Sequence, residues 1–421
     1  MPADSTTTDS AGGHDLSSSS SSTLTEAHPP LALRPDVGFI DRLAELAGDS
    51  FLSCYQCGTC SVVCPFSPQG THLPRQEMLF AQWGLENELL SSPNLWICTT
   101  CGNCARLCPR EVDIPGTISA ARDLYVASRD IPRELATAFE NTSRQGNPLG
   151  HSARKRADWA GNAGVDVPVM AKLGRSVDIL FFTECYWSYH PRGMQAAQAM
   201  ARMMSALGVD WAILGVEERC VADSQRLAGE IGLFEEAAQK NIEVLGKYSF
   251  KRLVTPDPHA YNALRNLYPS YGGSYQVQHY TQFLAELIPS MSLGPIPQRT
   301  VTFHDPCYLG RHNGEFEAPR RLLEAIPGIS LVEMGHCRAD GYCCGGGGGG
   351  MWNSSFVAEQ VDERLAEVRI KEAVGTGADV LAVCCPFEVS LFEDAAKSTG
   401  NDDKIVVRDI IELLDESLKL H

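Results

Sequence analysis

The sequence has no run of about 18 uninterrupted apolar residues, so no segment of it is long enough to cross a bilayer by itself. Its first residues lack the basic and apolar regions of a secretory signal. A cytoplasmic setting is expected, peripheral to a membrane only through a partner. It is also short of basic residues: 35 Lys and Arg stand against 52 Asp and Glu, a formal charge of −17, with no basic stripe. That leaves little to grip a polyphosphate backbone, which excludes nucleic acid as the default partner. What the sequence has in excess is cysteine, 16 of 421 residues. Secreted disulfide scaffolds are short, and in a reducing compartment this much thiol points to metal or redox chemistry.

Residues 1–36 are rich in Ser and Thr, with an unbroken serine run from Ser17 to Ser22, and read as a disordered tail. Residues 37–150 carry eight cysteines among amphipathic helical patterns. Ile40, Leu43, Leu46 and Ala47 share one face; Met78, Leu79, Trp83, Leu89 and Leu90 mark a second helix. Asp113 followed by Pro115 starts a third, which carries Ile118, Ala121 and Leu124. A polar connection is expected over 151–175. From 176 onward, short apolar runs at 177–182, 210–214, 251–255, 300–303, 329–334, 379–383 and 404–407 alternate with helical stretches. The helical stretches include Met194–Leu207, Gln225–Ile231 and Phe356–Val374, an alternation that predicts parallel α/β units.

This second half repeats itself. A strand runs into Cys185 and another into Cys307; Cys220 follows Cys185 by 35 residues and Cys343 follows Cys307 by 36. Asp257-Pro258-His259-Ala260 then corresponds to Cys385-Pro386-Phe387-Glu388. Two lobes follow, 176–298 and 299–421, with their marked residues just past the carboxyl ends of strands, where open α/β sheets place ligands. The expected fold is α+β and multidomain: a helical two-cluster ferredoxin-like domain followed by a two-lobed α/β domain with parallel sheets.

In the first half, Cys54, Cys57, Cys60 and Cys64 are spaced C-x2-C-x2-C-x3-C and followed by Pro65. Cys98, Cys101, Cys104, Cys108 and Pro109 repeat the pattern. Three close cysteines can wrap one face of a cubane, and the fourth reaches the other cluster in two-cluster ferredoxins. One [4Fe-4S] cluster then takes Cys54, Cys57, Cys60 and Cys108, and the other Cys98, Cys101, Cys104 and Cys64. Structural zinc sites need neither the middle cysteine nor the trailing proline. All four ligand positions of each cluster are filled, so this half implies single-electron relay and not substrate chemistry. In the second half, Cys307, Cys343, Cys344 and Cys385 form another constellation. The six glycines Gly345 to Gly350 follow the adjacent cysteine pair, and Gly345, Gly346 and Gly347 offer backbone N–H groups to a cofactor. They lead into a helix starting near Ser354 or Ser355. The glycine run also matches a nucleotide-binding pattern, but it does not directly follow a strand.

Taken together, CYQCGTC, LWICTTCGNCARLCP, HDPCYLGRHNGEFEAPR and CCGGGGGGMW resemble the iron–sulfur subunits of heterodisulfide reductases, here with the ferredoxin-type and CCG-type subunits fused. Related proteins include the iron–sulfur subunits of glycolate oxidase and quinone reductases fed by electron-transfer flavoprotein. The resemblance spans residues 37–421. It implies that a complete CCG module binds a non-cubane [4Fe-4S] cluster through five cysteines. The second lobe matches at Cys307, Cys343, Cys344 and Cys385 and departs at Glu388, where the pattern has its last cysteine. Glu388 is then a hard-ligand replacement, or Cys384 supplies the fifth sulfur, or a ligand is simply lost. The first lobe keeps Cys185 and Cys220 but has Val221 and Ala222 for Cys-Gly, and Asp257 and Ala260 for two more cysteines. No cluster is expected there.

Two functional expectations follow from the resemblance. One is an electron-transfer subunit whose third iron–sulfur site reduces a disulfide or a quinone. The other is a conduit and docking subunit without a substrate site, as in large flavin-based complexes resembling benzoyl-CoA reductases. Either implies a flavoprotein partner, of the heterodisulfide-reductase or electron-transfer-flavoprotein kind, and other redox subunits, a membrane cytochrome among them. Among the remaining residues, Cys337 reads as an ordinary thiol, and His190, His304 and His312 as structural histidines near the cysteine segments. Trp187, Tyr189, Tyr308 and Trp352 read as aromatic packing.

Overall fold

The computed structural model describes residues 33–67 and 72–419. The tail expected over 1–36 therefore lies outside the described residues up to residue 32. The first half is helical. The helix Val37–Ala47 is capped by Asp36, whose side chain accepts from the Gly38 N–H at 2.8 Å. Its buried residues are Phe39 and Leu43, whereas Leu46, expected on the inner face, is 45% exposed. The single helix expected across Met78–Leu90 is two, Arg75–Gln82 and Glu86–Leu90, parted at Gly84, which takes a positive φ. The helix Ile114–Val126 starts as expected, with the Asp113 side chain accepting from the Gly116 N–H and Pro115 in the first turn. Phe39, Met78, Leu95, Trp96, Ile118 and Ala121 build the core between these helices.

In the second half the strands are β1 (Val177–Phe181), β2 (Trp211–Ile213), β3 (Phe250–Thr255), β4 (Val277–His279), β5 (Arg299–Phe303), β6 (Ile329–Leu331), β7 (Val380–Val383) and β8 (Val406–Asp409), all but β4 at the expected apolar runs. They pair in parallel throughout, in the orders β2-β1-β3-β4 and β6-β5-β7-β8. The second order is the first shifted by four, so the internal repeat seen in the sequence is a repeat of topology. The helix expected over Phe356–Val374 is broken into Ser354–Gln360 and Leu365–Gly375 by extended backbone at Val361 and a capping box between Arg364 and Glu367. The stretch 151–175 folds as two short 3-10 turns and the helix Met170–Leu173, anchored by Trp159, which is 1% exposed in the core of the first lobe.

The two lobes meet through helices. Pro191–Ala206, which comes after β1, packs on Ile410–Lys419, which follows β8, through the pairs Arg192–Glu412 and Arg202–Asp415. The helix after β4, Tyr280–Leu287, packs in turn on Glu317–Ala325, which follows β5. At this seam Asp409 is fully buried. Its Oδ1 accepts from the Tyr280 hydroxyl at 2.6 Å, and its Oδ2 has no partner. Burial pushes its carboxyl up to about 7.

The folded protein thus keeps a proton that the unfolded chain releases near pH 4. Stability from this group is present below that value and is lost as pH rises through about 7. Asp409→Asn, neutral at every pH, is expected to shrink the fall in melting temperature between about pH 4 and 7. Part of the fall remains, because Asp257 and Glu218 are also raised by burial to about 7. Equal slopes in variant and wild type would show that Asp409 does not titrate in this range.

Candidate metal centres

Two pairs of loops build the first sites. Gly58 and Gly102, at φ of 84° and 80°, begin the short helices Thr59–Val62 and Asn103–Arg106, which pack on one another. This left-handed entry turns each loop back on itself at no side-chain cost. Cys54, Cys57, Cys60 and Cys108 consequently line one small cavity, together with Arg75, Met78 and Arg110. Cys64, Cys98, Cys101 and Cys104 line a second, with Phe66, Thr99 and Leu365. The fourth cysteine of each motif stands in the cavity of the other. Burial pushes the Cys60 thiol up to about 11 and the Cys64 thiol up to about 12, so these sulfurs stay protonated unless a cation takes their protons' place. Four convergent sulfurs per cavity fit a [4Fe-4S] cluster. Cys57 at the first cavity is exposed, whereas the four cysteines at the second are half-buried.

The third group forms at the carboxyl ends of β5 and β7. Cys307 follows β5, and Cys385 caps the helix Pro386–Ser398 after β7. Hydrogen bonds from Cys101, Cys307 and Cys344 hold the Cys343 thiol well below its usual value. Cys307, Cys343 and Cys344 pack in one cluster against Cys64, Cys98 and Cys101, so the second cavity and the third group share a wall. On the other side, single donor atoms of His304, Cys344 and Glu388 lie within 4.8 Å of one another, all buried. His304 Nε2 is 3.3 Å from Glu388 Oε1, and neither His304 Nε2 nor Glu388 Oε2 has a hydrogen-bond partner. Orphaned polar atoms in the interior are costly, about 1–3 kcal/mol each, and here they lie beside the Cys344 sulfur. Cys384 is fully buried in the core between the lobes, near Tyr280 and Asp409. Cys385 packs with Tyr186 and Phe387 in a small cluster of its own.

The glycines meet the cysteines from two directions. Gly345 and Gly346 donate their N–H groups to Cys343 Sγ at 3.3 Å and Cys344 Sγ at 3.5 Å. Gly347 and Gly348 press on the second cysteine loop: a side chain would stand 2.5 Å from the Thr99 carbonyl oxygen in one and 2.3 Å from that of Cys98 in the other. The helix that follows starts at Ser354.

In the first lobe, Cys185 Sγ and Cys220 Sγ are 3.8 Å apart, and Glu184 Oε1 accepts from the Val221 N–H at 2.7 Å. Asp257 caps the helix Pro258–Asn262, and His259 pairs with Asp223 at 2.8 Å. His259, Tyr308 and His312 form a continuous stack, with centroids 4.0 and 4.1 Å apart. The stack ends at the second cysteine loop, where His312 Nε2 lies 3.1 Å from the Thr100 carbonyl oxygen. Beside it a cleft of about 270 Å³ is lined by Leu46, Asp113, Pro115, Arg226, Tyr308 and His312. His190 stacks on Tyr186, Trp187 lies in the core against Phe181 and Tyr280, and Trp352 donates to Ser224. Glu184, Asp223 and the buried Arg122 are residues that sequence reasoning missed, and His259 stood there only as part of the repeated Asp257–Ala260 segment.

The family model of a cysteine-rich domain, CCG, matches residues 179–265 and 301–387, and that of a 4Fe-4S dicluster domain matches 50–112. The chain is 32% identical over 402 residues to one of the subunits of the dihydromethanophenazine:CoB–CoM heterodisulfide reductase of Methanosarcina barkeri, covering 87% of this chain and 94% of the relative. It is 36% identical to the "Probable iron-sulfur-binding oxidoreductase FadF" of Bacillus subtilis, over 79% of this chain and 48% of the relative. With the EtfAB:quinone oxidoreductase of Syntrophomonas wolfei it shares 29% identity, over 86% of this chain and 57% of the relative. The chain thus spans about half the length of these two longer relatives. A crystal structure of a hypothetical protein from Helicobacter pylori has the same fold, with a TM-score of 0.52 at 11% identity, over 91% of this chain and 73% of that one.

Proposed function

The chain belongs to the heterodisulfide-reductase family of iron–sulfur proteins, an electron-transfer subunit with a 4Fe-4S dicluster domain followed by two CCG domains, and from that premise we propose what its sites do. Cys54, Cys57, Cys60 and Cys108 hold one [4Fe-4S] cluster, and Cys98, Cys101, Cys104 and Cys64 hold the other. Cys307, Cys343, Cys344 and Cys385 hold a third iron–sulfur site, with Glu388 as its carboxylate ligand and Gly345 and Gly346 donating to its sulfurs. When bound, these groups supply one-electron transfer. The observation that carries the reading is the packing of Cys307, Cys343 and Cys344 in one buried cluster against Cys64, Cys98 and Cys101 of the second cavity. No separate conductor is needed between the second cluster and the third site.

The chain's own residues provide a dry, preorganised surround, with a polar, partly apolar cleft nearby. The third site with this cleft suits reduction of a small disulfide or a quinone, the latter in keeping with the relative named EtfAB:quinone oxidoreductase. Electron donors or acceptors would be a flavoprotein and further redox subunits. Among the described residues no helix is long and apolar enough to cross a membrane, so a membrane cytochrome would be a separate partner or segment. A conduit without its own substrate site is the second reading. It is favoured by the first lobe, which has Val221, Ala222, Asp257 and Ala260 where the second has Cys344, Gly345, Cys385 and Glu388.

Iron analysis of anaerobically purified protein is expected to give about twelve irons per chain, four per cluster. In Cys344→Ser the value should fall to about eight, with the spectra of both cubanes retained and reduction of an added disulfide or quinone abolished. Activity that persists in this variant would move the reacting site elsewhere. Wild-type protein with about eight irons would leave the chain as a conduit alone.

A further inference from the structure

The two lobes carry matched segments, and at two matched positions the first lobe has chemistry that the second lacks. Counting from Cys220 and Cys343, Asp223 stands where the second lobe has Gly346. Counting from Asp257 and Cys385, His259 stands where it has Phe387. The fold joins the two residues into a pair. His259 Nδ1 lies 2.8 Å from Asp223 Oδ2, and with a carboxylate as its partner this nitrogen is the donor. Asp223 Oδ1 accepts from Arg226 Nε and Nη2 at 2.9 and 2.7 Å. Burial pushes the Asp223 carboxyl up, and the charges of Arg226 and His259 outweigh that and hold it below its usual value. The carboxylate is dry, charged and held from both sides.

The ring of His259 reaches across to the second lobe. It stacks on Tyr308 with centroids 4.0 Å apart, and it meets Phe387 edge to face at 6.5 Å. Tyr308 directly follows Cys307, and Phe387 packs in one small cluster with Cys385. His259 is thus wedged between two of the segments that carry the sulfurs of the third site. Fixing Nδ1 on Asp223 sets the tautomer: the neutral ring has a bare Nε2, and the charged ring has a proton there. Among the described residues Nε2 has no hydrogen-bond partner, and the side chain keeps 11% of its surface open to solvent. Burial works against the charged ring, and the hydrogen bond and charge of Asp223 outweigh it and raise its pKa. A releasable proton therefore stands on a nitrogen that the packing of the fold leaves unused.

We propose that His259 is the proton donor for a small disulfide reduced at the third site, with Asp223 as its positioning residue. This rests on the reading of the third site given above. Reductive cleavage of an alkyl disulfide takes up two electrons and breaks the S–S bond. His259 gives its Nε2 proton to one sulfur, which leaves as a thiol; the other leaves as a thiolate and is protonated by solvent. The electrons come from a one-electron reductant, a reduced flavoprotein partner or reduced methyl viologen in vitro. His259 regains its proton from water at its open edge, with Nδ1 still on Asp223. A positioned acid of this kind contributes roughly 10²–10⁴-fold in rate. The second lobe then serves the electrons, and the first lobe serves the proton.

The test takes holoprotein reduced by methyl viologen, frees it of the dye and mixes it anaerobically with an oxidant. One oxidant is hydroxyethyl disulfide; the other is ferricyanide, which takes an electron and no proton. In His259→Gln, re-oxidation by the disulfide should slow at least about 100-fold. Re-oxidation by ferricyanide, the iron content and the midpoint potentials read by electron paramagnetic resonance should all stay at wild-type values. Equal disulfide rates in variant and wild type overturn the proposal and leave the reading of the third site standing. Slowing with both oxidants also overturns it, because the defect then lies in the electron path. A wild type that ferricyanide re-oxidises and the disulfide does not overturns the third-site reading, and the proposal with it. Should His259→Gln lose its iron, Asp223→Asn decides. A slower disulfide reaction at an unchanged ferricyanide rate upholds the proposal, and unchanged rates with both overturn it.

Discussion

Arg320→Ala is expected to lower the melting midpoint on the order of 10 °C and to empty the third iron–sulfur site. Arg320 lies in the helix Glu317–Ala325 and is 3% exposed. Its guanidinium grips Asp305 at both oxygens, 2.7 and 2.9 Å, and Glu333 at both oxygens, 2.6 and 3.0 Å. It also donates to the Phe316 carbonyl and lies over the Phe303 ring at 5.2 Å. Asp305 sits between His304 and Cys307, and its Oδ2 accepts from the Arg338 N–H at 2.6 Å, fixing the segment just before Cys343 as well. Alanine removes the cation and leaves the Asp305 carboxylate buried without it. Breaking a buried pair in this way costs about 3–5 kcal/mol, far more than the pair itself contributes. Glu333 is partly exposed and adds less.

Lysine keeps the charge but cannot grip two carboxylates with a planar fork, so Arg320→Lys should fall between the two. Calorimetry with parallel iron analysis reads both effects. A variant that melts within a degree or two of wild type with full iron would show that Asp305 is held by other contacts.

How much of this was legible in the sequence depends on the range of the interaction. The cysteine loops were, because their chemistry is local: spacing, a glycine and a proline dictate a turn that presents three sulfurs. Seven of the eight strands were too, since runs such as VDILFF and DVLAV are buried on both faces and read as continuous apolar stretches. β4 was not, because Val277–His279 is three residues long and has Gln278 at its centre. The wrong inner face at Leu46 and the single helix across Gly84 are errors of phase and of length, and periodicity alone is weakest at both. The glycine run shows the limit most clearly. Locally it reads as a nest for a cofactor, and Gly345 and Gly346 do face sulfur. Gly347 and Gly348 answer to carbonyls about 250 residues away in sequence, which no local pattern contains.

Buried charge was the least legible of all, and it yields the remaining large effect. Arg122, on the helix Ile114–Val126, looks in sequence like a solvated helix residue but is fully buried. It donates to the carbonyls of Leu95, Cys98, Leu227 and Gly348, and so ties the second cysteine loop to the first lobe and to the glycine run. Among the described residues it has no carboxylate partner, and burial lowers its pKa. A cation out of water with only carbonyl dipoles around it costs several kcal/mol, roughly, unless an anion lies near. The four thiolates of the second cavity, one of them Cys98, are that anion once they hold iron. A single charge ~6 Å away at an effective dielectric of ~20 is worth about 2–3 kcal/mol, or on the order of 100 mV for one electron. Arg122→Gln should therefore shift the second cluster to a more negative potential by about that amount, since the reduced, more negative state loses its counter-charge. Arg122→Lys should retain most of the wild-type potential with weaker loop contacts. A redox titration followed by electron paramagnetic resonance separates the two variants. An unchanged potential in Arg122→Gln, at wild-type iron content, would show that Arg122 serves the packing of three chain segments and not the charge of the cluster.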